Sequence, residues 1–412
     1  MKDIYVVGIG MTPFGRLLDQ SIKSLVRGAT QAALKDAGLV KEAVDAAFYG
    51  NASQGHMDGQ HMIRGEIALR DMGIGGIPVV NVENACASGS SAFVLAVNHL
   101  LAGAGDVALA IGAEKMFTED RQRMFSVFDS ALDVSRAEAI FAELRQIGEG
   151  LPIPPGSTSP KPYSVFMDVY AAFCRAHMKR FGTTQRQIAA VAAKNHQHSV
   201  HNPLSQYRNA YTIEEVLAAA PITYPFTVPM CSPVSDGAAA AIVCTGDALR
   251  RLDIDPRRAI RVLASVIQTG TDRAPSDLEQ HVTVRAARRA YEIAGVGPKD
   301  VSVAEVHDAT AMGEIVQIEN LGFCEFGAGG LLSERGDTTI GGRIPVNPSG
   351  GLESKGHPVG ATGLAQIHEL VTQLRGEAGA RQVDGARIAV AENGGGLYGV
   401  EEAVACITIL GR

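Results

Sequence analysis

Tryptophan is missing from all 412 residues, and phenylalanine and tyrosine bring the aromatic share to only 5%. A core without large rings has to close on small and branched side chains. The Ala/Val/Gly richness supplies them and suits buried parallel strands with helices packed closely over them, an α/β protein. No basic tract interrupts a chain of formal net charge −7, so no nucleic-acid footprint is expected; local positive charge for a phosphate-bearing ligand is still allowed. No apolar run reaches the length of a membrane span, and residues 4–9 already read as a strand. The expected compartment is the cytoplasm, without a membrane partner. The six cysteines (86, 174, 231, 244, 324 and 406) show no CxxC and no metal-ligand spacing, which argues against a disulfide framework and against a metal site.

Glycine, by contrast, is plentiful at 46 residues, and it punctuates a repeat. The first unit reads strand (4–9), helix (about 21–37, stopped at Gly38) and apolar stretch (46–50). From residue 258 the same order returns: strand (260–263), helix (282–294, ended by Gly295) and strand (301–306). A second pair matches as well. Residues 77–114 run strand, small-residue turn, helix (92–102), strand (107–112). Residues 344–396 run strand (344–347), glycine-rich turn, helix (362–375), strand (387–391). Two similar α/β halves are therefore expected, roughly 1–250 and 256–412. The first carries an insertion, about 115–225, with a proline-rich loop at 151–156 and helices at 165–180 and 185–194. An excursion of that size is expected to cover a substrate or to form oligomer surface.

The stretch that organises the chain is Asn81 to Phe93, NVENACASGSSAF, between an apolar run and a helical pattern. Cys86 falls at the turn. A thiol aimed at the first turn of a helix meets unpaired N–H groups and the positive dipole end, which lower its pKa. The small neighbours leave room for a substrate; a buried structural cysteine is the alternative.

Two histidines occupy corresponding places. His307 ends a strand in VAEVHDAT, and His357 lies in the glycine-rich loop NPSGGLESKGHPVGATG before a helix. Open α/β sheets place ligands at the C-terminal ends of strands, so the pseudo-symmetry brings one Cys and two His to one cleft. An imidazole there can take the thiol's proton. A fourth loop, Glu392-Asn393-Gly394-Gly395-Gly396, ends the last such strand, where bare backbone N–H groups can hold an oxyanion. His196, His198 and His201 read as helix-end and loop surface, since no carboxylate or cysteine completes a metal site.

At these loops the chain resembles the thiolase family, over nearly all of its length. NACASGSSAF resembles the nucleophile loop, CSPVSDGAAAAI the segment closing the first half, VHDAT the third loop and GHPVGATG the histidine loop. KNHQHSVHNPLSQ and the His-Asp form of the third loop resemble the sterol-carrier-protein-type branch and its bacterial and archaeal acetyl-CoA acetyltransferase relatives. The resemblance implies a thiolase-like fold of two pseudo-symmetric αβαβα halves with an inserted loop domain. It implies an acyl-CoA C-acyltransferase with no permanently bound cofactor and with coenzyme A and acyl-CoA as substrates. Cys86 would become acylated, His357 would activate it, and His307 would hold the thioester oxygen of the second acyl-CoA. The N–H groups of Cys86 and Gly394 would form the other oxyanion hole, and Ser232 would lie near the pantetheine arm. A homodimer or dimer of dimers is implied, as is a small OB-fold zinc-binding partner protein.

The departures from the family concern the proton shuttle at the substrate α-carbon. Many thiolases carry a cysteine before the last glycine run, where this chain has Glu392-Asn393. The sterol-carrier-type branch often has one two residues after the third-loop histidine, where this chain has Ala309. Glu392, Asn393 and His56 are the candidate replacements, with a structural strand-end carboxylate as the other reading of Glu392. The missing shuttle keeps alternatives open: an acyl-enzyme with a non-CoA carbon acceptor, a retro-aldol lyase acting on a CoA-bound side chain with the OB-fold partner, or a scaffold subunit.

Overall fold

Two helices, Ser88–Leu101 and Thr362–Arg375, pack against each other at the centre of the chain. The computed structural model, which describes residues 2–412, covers them on both sides with strands. Residues before 246 supply β1 (Ile4–Met11), β2 (Ala46–Gly50), β3 (Val79–Val82), β4 (Val107–Glu114), a small hairpin of β5 (Pro221–Thr223) and β6 (Phe226–Thr227), and β7 (Gly237–Thr245). Residues after 259 supply β8 (Ile260–Thr269), β9 (Val303–Glu305), β10 (Ile388–Gly395) and β11 (Val404–Gly411). The nine long-range strands run in the order β3-β2-β4-β7-β1-β8-β11-β10-β9. Read outward from the β1–β8 contact, each half repeats the same sequence of antiparallel and then parallel pairs.

Alternation along the strands assigns the layers. On β4, Ala108 and Ala110 face the central helices, while Val107, Leu109, Ile111 and Ala113 face the helix Ile22–Ala37. On the other side of the centre the helix Val282–Ala294 covers Val390, Ile407 and Ile409. The result is helix, sheet, helix, sheet, helix. Alanine on the inner faces lets the central pair come close to both sheets, which is how a chain without tryptophan fills its core.

Local signals set most boundaries. Ser21 accepts the Ser24 N–H and opens the helix Ile22–Ala37; Gly38, at φ 67°, closes it. Gly295, at φ 68°, does the same for Val282–Ala294. Two expectations need correction. The strand at 344–347 is reduced to a single parallel bridge from Val346 to Ala304, because Pro345 has no N–H to extend the ladder. The helix expected to stop at 194 runs on to Ser199, and its extra turn turns His196 and His198 inward. Far from being surface, His196 faces the Pro229 carbonyl at 3.2 Å and His198 the Asn347 carbonyl at 3.0 Å. Only His201 of that group is exposed.

The insertion contains the helices Phe166–Phe181 and Gln185–Ser199, and residues 151–156 form neither helix nor strand. Among the described residues no helix is long and apolar enough to cross a membrane.

Candidate active site

Cys86 stands in a tight turn between β3 and the helix Ser88–Leu101. Ala85 before it takes φ 47°, a conformation that costs a residue with a side chain about 1 kcal/mol or more. Local hydrogen bonds hold it there. The Ala85 N–H donates to Glu83 at 2.6 Å, the Ser88 hydroxyl to the Ala85 carbonyl at 2.7 Å, and the Ala87 N–H to the Asn84 carbonyl at 3.0 Å. The end of β10 closes over this turn. A β-carbon on Gly395 would lie 2.2 Å from the Asn84 oxygen, so glycine is required for the approach.

His307 follows β9, and its backbone N–H donates to Glu392 Oε2 at 2.9 Å. His357 comes from the loop before Thr362–Arg375, with its N–H donating to Ser235 Oγ at 2.9 Å. Asp308 ties the two loops together by accepting the Leu352 N–H at 2.8 Å. The donor atoms of Cys86, His307 and His357 all lie within 4.8 Å of one another, the one such cluster of three found among the described residues.

The hydrogen bonds determine which imidazole nitrogen carries the proton. His357 Nδ1 is 2.7 Å from Thr362 Oγ1, and that hydroxyl donates its single proton to the Pro358 carbonyl at 3.1 Å. With its proton so placed Thr362 accepts from Nδ1–H, and the lone pair falls on Nε2, 3.3 Å from Cys86 Sγ. Burial holds the His357 pKa well below the usual imidazole value, with repulsion from His307 and Lys355 adding to it. A neutral base thus faces the thiol.

The thiol itself corrects an expectation. Burial pushes the Cys86 pKa up to about 12, and the buried Glu114 carboxyl adds to the rise. The turn precedes the helix, and the protein packed around the sulfur costs a thiolate more than the helix end returns. In the resting protein the pair is thiol and neutral imidazole. His307 is also kept neutral, its pKa lowered to about 4 by burial against the opposing pull of Glu402 and the Gly394 carbonyl. Its Nε2 is buried without a hydrogen-bond partner, and its ring centre lies 5.2 Å from that of His357. A polar atom left unpaired in this position is available to a substrate oxygen.

Cys86, His307 and His357 line a cavity of about 1010 Å³. The chain is poor in aromatics, yet six of its 13 phenylalanines (117, 125, 128, 166, 173 and 181) line this space, all of them from the insertion. Ser232 is on the wall, with its N–H donating to the Ala309 carbonyl at 3.0 Å. Gly395 and Gly396 reach the cavity, while Gly394 sits one residue back on β10.

The other candidates lie elsewhere. His56 is exposed and faces Ser126 Oγ at 3.0 Å, because the short helix Gln54–Asp58 carries it to the surface. Asn393 is turned into the core, where its Oδ1 accepts the Ser90 hydroxyl at 2.8 Å. Glu392 is fully enclosed behind His307; burial and the nearby Glu402 hold its pKa well above the carboxylate range. Three residues inside the quoted motifs frame the site in ways the motifs do not assign. Ser235 and Thr362 orient His357, and Asp236 accepts the N–H groups of Met116 and Phe117 at 2.7 and 2.8 Å, fixing the entry to the insertion. For Ser235 and Asp236 the signal is the unbroken segment CSPVSDG, whose polar residues precede the strand β7, and for Thr362 its place in the histidine loop GHPVGATG.

Layered halves meeting at one edge, with a cysteine, a lone-pair imidazole and an unpaired imidazole beneath a long cavity, define an enzyme built for covalent chemistry on a cysteine. The chain belongs to the thiolase family: the model of the thiolase N-terminal domain matches residues 4–213 and that of the thiolase C-terminal domain residues 265–412. It is an acyltransferase of the thiolase type. It is 39% identical to an acetyl-CoA acetyltransferase of Methanothermobacter thermautotrophicus, over 97% of this chain and 98% of that one. It is 38% identical to sterol carrier protein 2 of Bos taurus, over 95% of this chain and 69% of the relative. Among solved structures, the Ltp2-ChsH2(DUF35) aldolase superposes with a TM-score of 0.78 at 23% identity, covering 100% of this chain and 98% of that one, a likeness of fold.

Proposed function

We propose that the chain transfers acyl groups between coenzyme A thioesters through an acyl-Cys86 intermediate, cleaving 3-oxoacyl-CoA with free CoA or running the reverse condensation. The observation that carries this reading is His357 Nε2 facing the Cys86 sulfur at 3.3 Å. Cys86 attacks the ketone as His357 takes its proton, so a thiolate forms only as the carbon–sulfur bond does. The unpaired His307 Nε2 holds the thioester oxygen of the second substrate, and the N–H groups of Cys86 and Gly394 hold the acyl-enzyme oxygen. Ser232 faces the pantetheine arm, and the phenylalanine-lined part of the cavity takes the acyl chain. Coenzyme A is then a substrate and not a resident cofactor. The working division of the chain is residues 1–250, with the insertion at about 115–225, and residues 256–412, and its place is the cytoplasm.

Intact-protein mass after incubation with acetyl-CoA, a longer acyl-CoA and a 3-oxoacyl-CoA tests the reading. An acyl adduct that free CoA removes is expected. An adduct that CoA leaves in place, but a carbon nucleophile removes, would replace CoA by a non-CoA carbon acceptor. The absence of any adduct would favour a lyase, as in the aldolase whose fold is similar, or a requirement for a small OB-fold zinc partner. An adduct formed by the chain alone would dispense with that partner for acylation.

We further propose a homodimer or a dimer of dimers. β3 is a terminal strand of the sheet, with Val80 41% exposed, and an open apolar edge invites pairing with a second copy. Light scattering is expected to give twice the 43.3 kDa of the chain or a higher even multiple; a monomer mass would overturn this assembly.

A further inference from the structure

The family's acid/base cysteine is absent from both of its usual places, and the three replacements legible in the sequence are turned away from the cavity. A different carboxylate is in it. Glu402 lines the same cavity as Cys86, His307 and His357, eight residues beyond Gly394. β10 and β11 fold it back: Gly394 pairs with Ala405, and Glu402 lies across the glycine's α-carbon. A β-carbon on Gly394 would stand 2.7 Å from Glu402 Cγ and 3.3 Å from its Oε1, so the first glycine of the run makes room for this side chain.

The carboxylate is held in place at one oxygen. Oε1 accepts from the Gln317 amide at 2.8 Å. Oε2 is buried without a hydrogen-bond partner, 3.4 Å from His281 Nε2. His281 Nδ1 accepts the Thr283 N–H at 3.2 Å, which places that ring's proton on Nε2. Burial, with repulsion from Arg273 added, lowers the His281 pKa to about 3, so the ring is neutral. Gln317 and His281 line the cavity too, although the side chain of Glu402 retains 24% of its exposure.

The remaining carboxylates are otherwise committed. Glu401 is paired with Arg273 at 2.6 Å and accepts the N–H groups of Thr271 and Val282 at 2.8 and 2.9 Å. Glu392 is sealed behind His307, and Glu119 is exposed. Of these carboxylates Glu402 combines a fixed position, an oxygen without a hydrogen-bond partner and a side chain that lines the cavity with His307.

We propose that Glu402 is the acid/base that moves the proton at the substrate α-carbon, a role that rests on the acyl-Cys86 reading. In cleavage, the Cys86 thiol gives its proton to His357 as sulfur bonds to the ketone carbon. The bond between that carbon and the α-carbon breaks with its electron pair on the α-carbon, which takes a proton from the Glu402 carboxylic acid and leaves as the shortened acyl-CoA. The thiol of free CoA then gives its proton to the Glu402 carboxylate and attacks the acyl-Cys86 carbon. Cys86 leaves as thiolate and recovers its proton from His357. Condensation is the reverse, with the Glu402 carboxylate removing the α-proton.

The two half-reactions separate the test from the parent reading. Acylation of Cys86 by acetyl-CoA needs no proton at the α-carbon, whereas thiolysis of acetoacetyl-CoA and deuterium exchange into the methyl group of acetyl-CoA in D2O both do. In Glu402→Gln the acetyl adduct is expected still to form, more slowly because water has to supply the proton to the departing CoA sulfur, while exchange and thiolysis fall about 10²- to 10⁴-fold. Glu402→Asp, which keeps the carboxylate, is expected to recover part of both. Exchange and thiolysis within about threefold of wild type in Glu402→Gln would overturn the proposal. Loss of the adduct in Glu402→Gln would also overturn it, by assigning Glu402 to maintenance of the pocket. Absence of an adduct in wild type would instead remove the acyl-Cys86 reading, and this role with it.

Discussion

Cys86→Ala is expected to abolish the acyl adduct and to lower thiolysis by about 10⁴-fold or more, while the chain stays folded. The sulfur faces the cavity, and its hydrogen-bonding contact is the lone pair of His357 Nε2 at 3.3 Å, so removing it strands no buried donor. The turn is held by Glu83, Asn84, Ala85 and Ser88 through their own hydrogen bonds, none of which uses the thiol. A stability change of about 1 kcal/mol or less follows, readable as a small shift in melting temperature. Mass spectrometry of the variant with each acyl-CoA, beside its melting curve, decides the matter. Full residual thiolysis in a folded variant would end every acyl-enzyme account of this protein.

The second large effect concerns His357 and pH. Because burial raises the Cys86 pKa to about 12, the resting sulfur is a thiol across the neutral range. Its thiolate fraction climbs tenfold per pH unit until that value is approached. Alkylation by iodoacetamide is therefore expected to accelerate steadily between pH 7 and 10 without a plateau; a plateau near pH 7 would show a preformed thiolate–imidazolium pair. Enzymatic acylation escapes this dependence because the Nε2 lone pair takes the proton during attack. His357→Asn removes that lone pair and is expected to slow adduct formation by about 10²- to 10⁴-fold. The residual rate should acquire the upward pH slope of a free thiol. An unchanged rate in His357→Asn would require another base, and no other imidazole lies within hydrogen-bonding reach of the sulfur among the described contacts.

Thr362 acts on the reaction through His357. Its hydroxyl selects the His357 tautomer, so its influence on the reaction passes through a proton position and not through contact with substrate.

Much of this was written in local sequence. The helix at 22–37 has its serine cap and its glycine stop within the chain segment itself, as does the helix ended by Gly295, and their repetition announced two similar halves. The helix at 362–375 was legible to the residue. The apolar strand at 107–112, the small-residue turn bearing Cys86, the strand end bearing His307 and the glycine-rich loop bearing His357 required no partner to be noticed. Strand 344–347 and the surface reading of His196 and His198 failed for a shared reason. A strand needs a donor on the facing edge, which Pro345 lacks, and a polar helix end is inside or outside according to what another loop lays over it.

Sequence by itself determined most of the element order, the doubled α/β plan, the family and the three residues that meet at the site, because periodicity, caps and turn chemistry act over a few neighbours. Tertiary structure alone decided which protons those residues hold and which carboxylate joins them. The helix end near Cys86 argued for a thiolate, but burial by segments from both halves outweighs it. Glu392 stands beside the glycine run in sequence yet is sealed behind His307; Glu402, eight residues after Gly394, is folded into the cavity by the pairing of β10 with β11. Ionisation and access depend on what distant parts of the chain crowd around a group, and desolvation of a charge outweighs the local dipole that sequence can reveal.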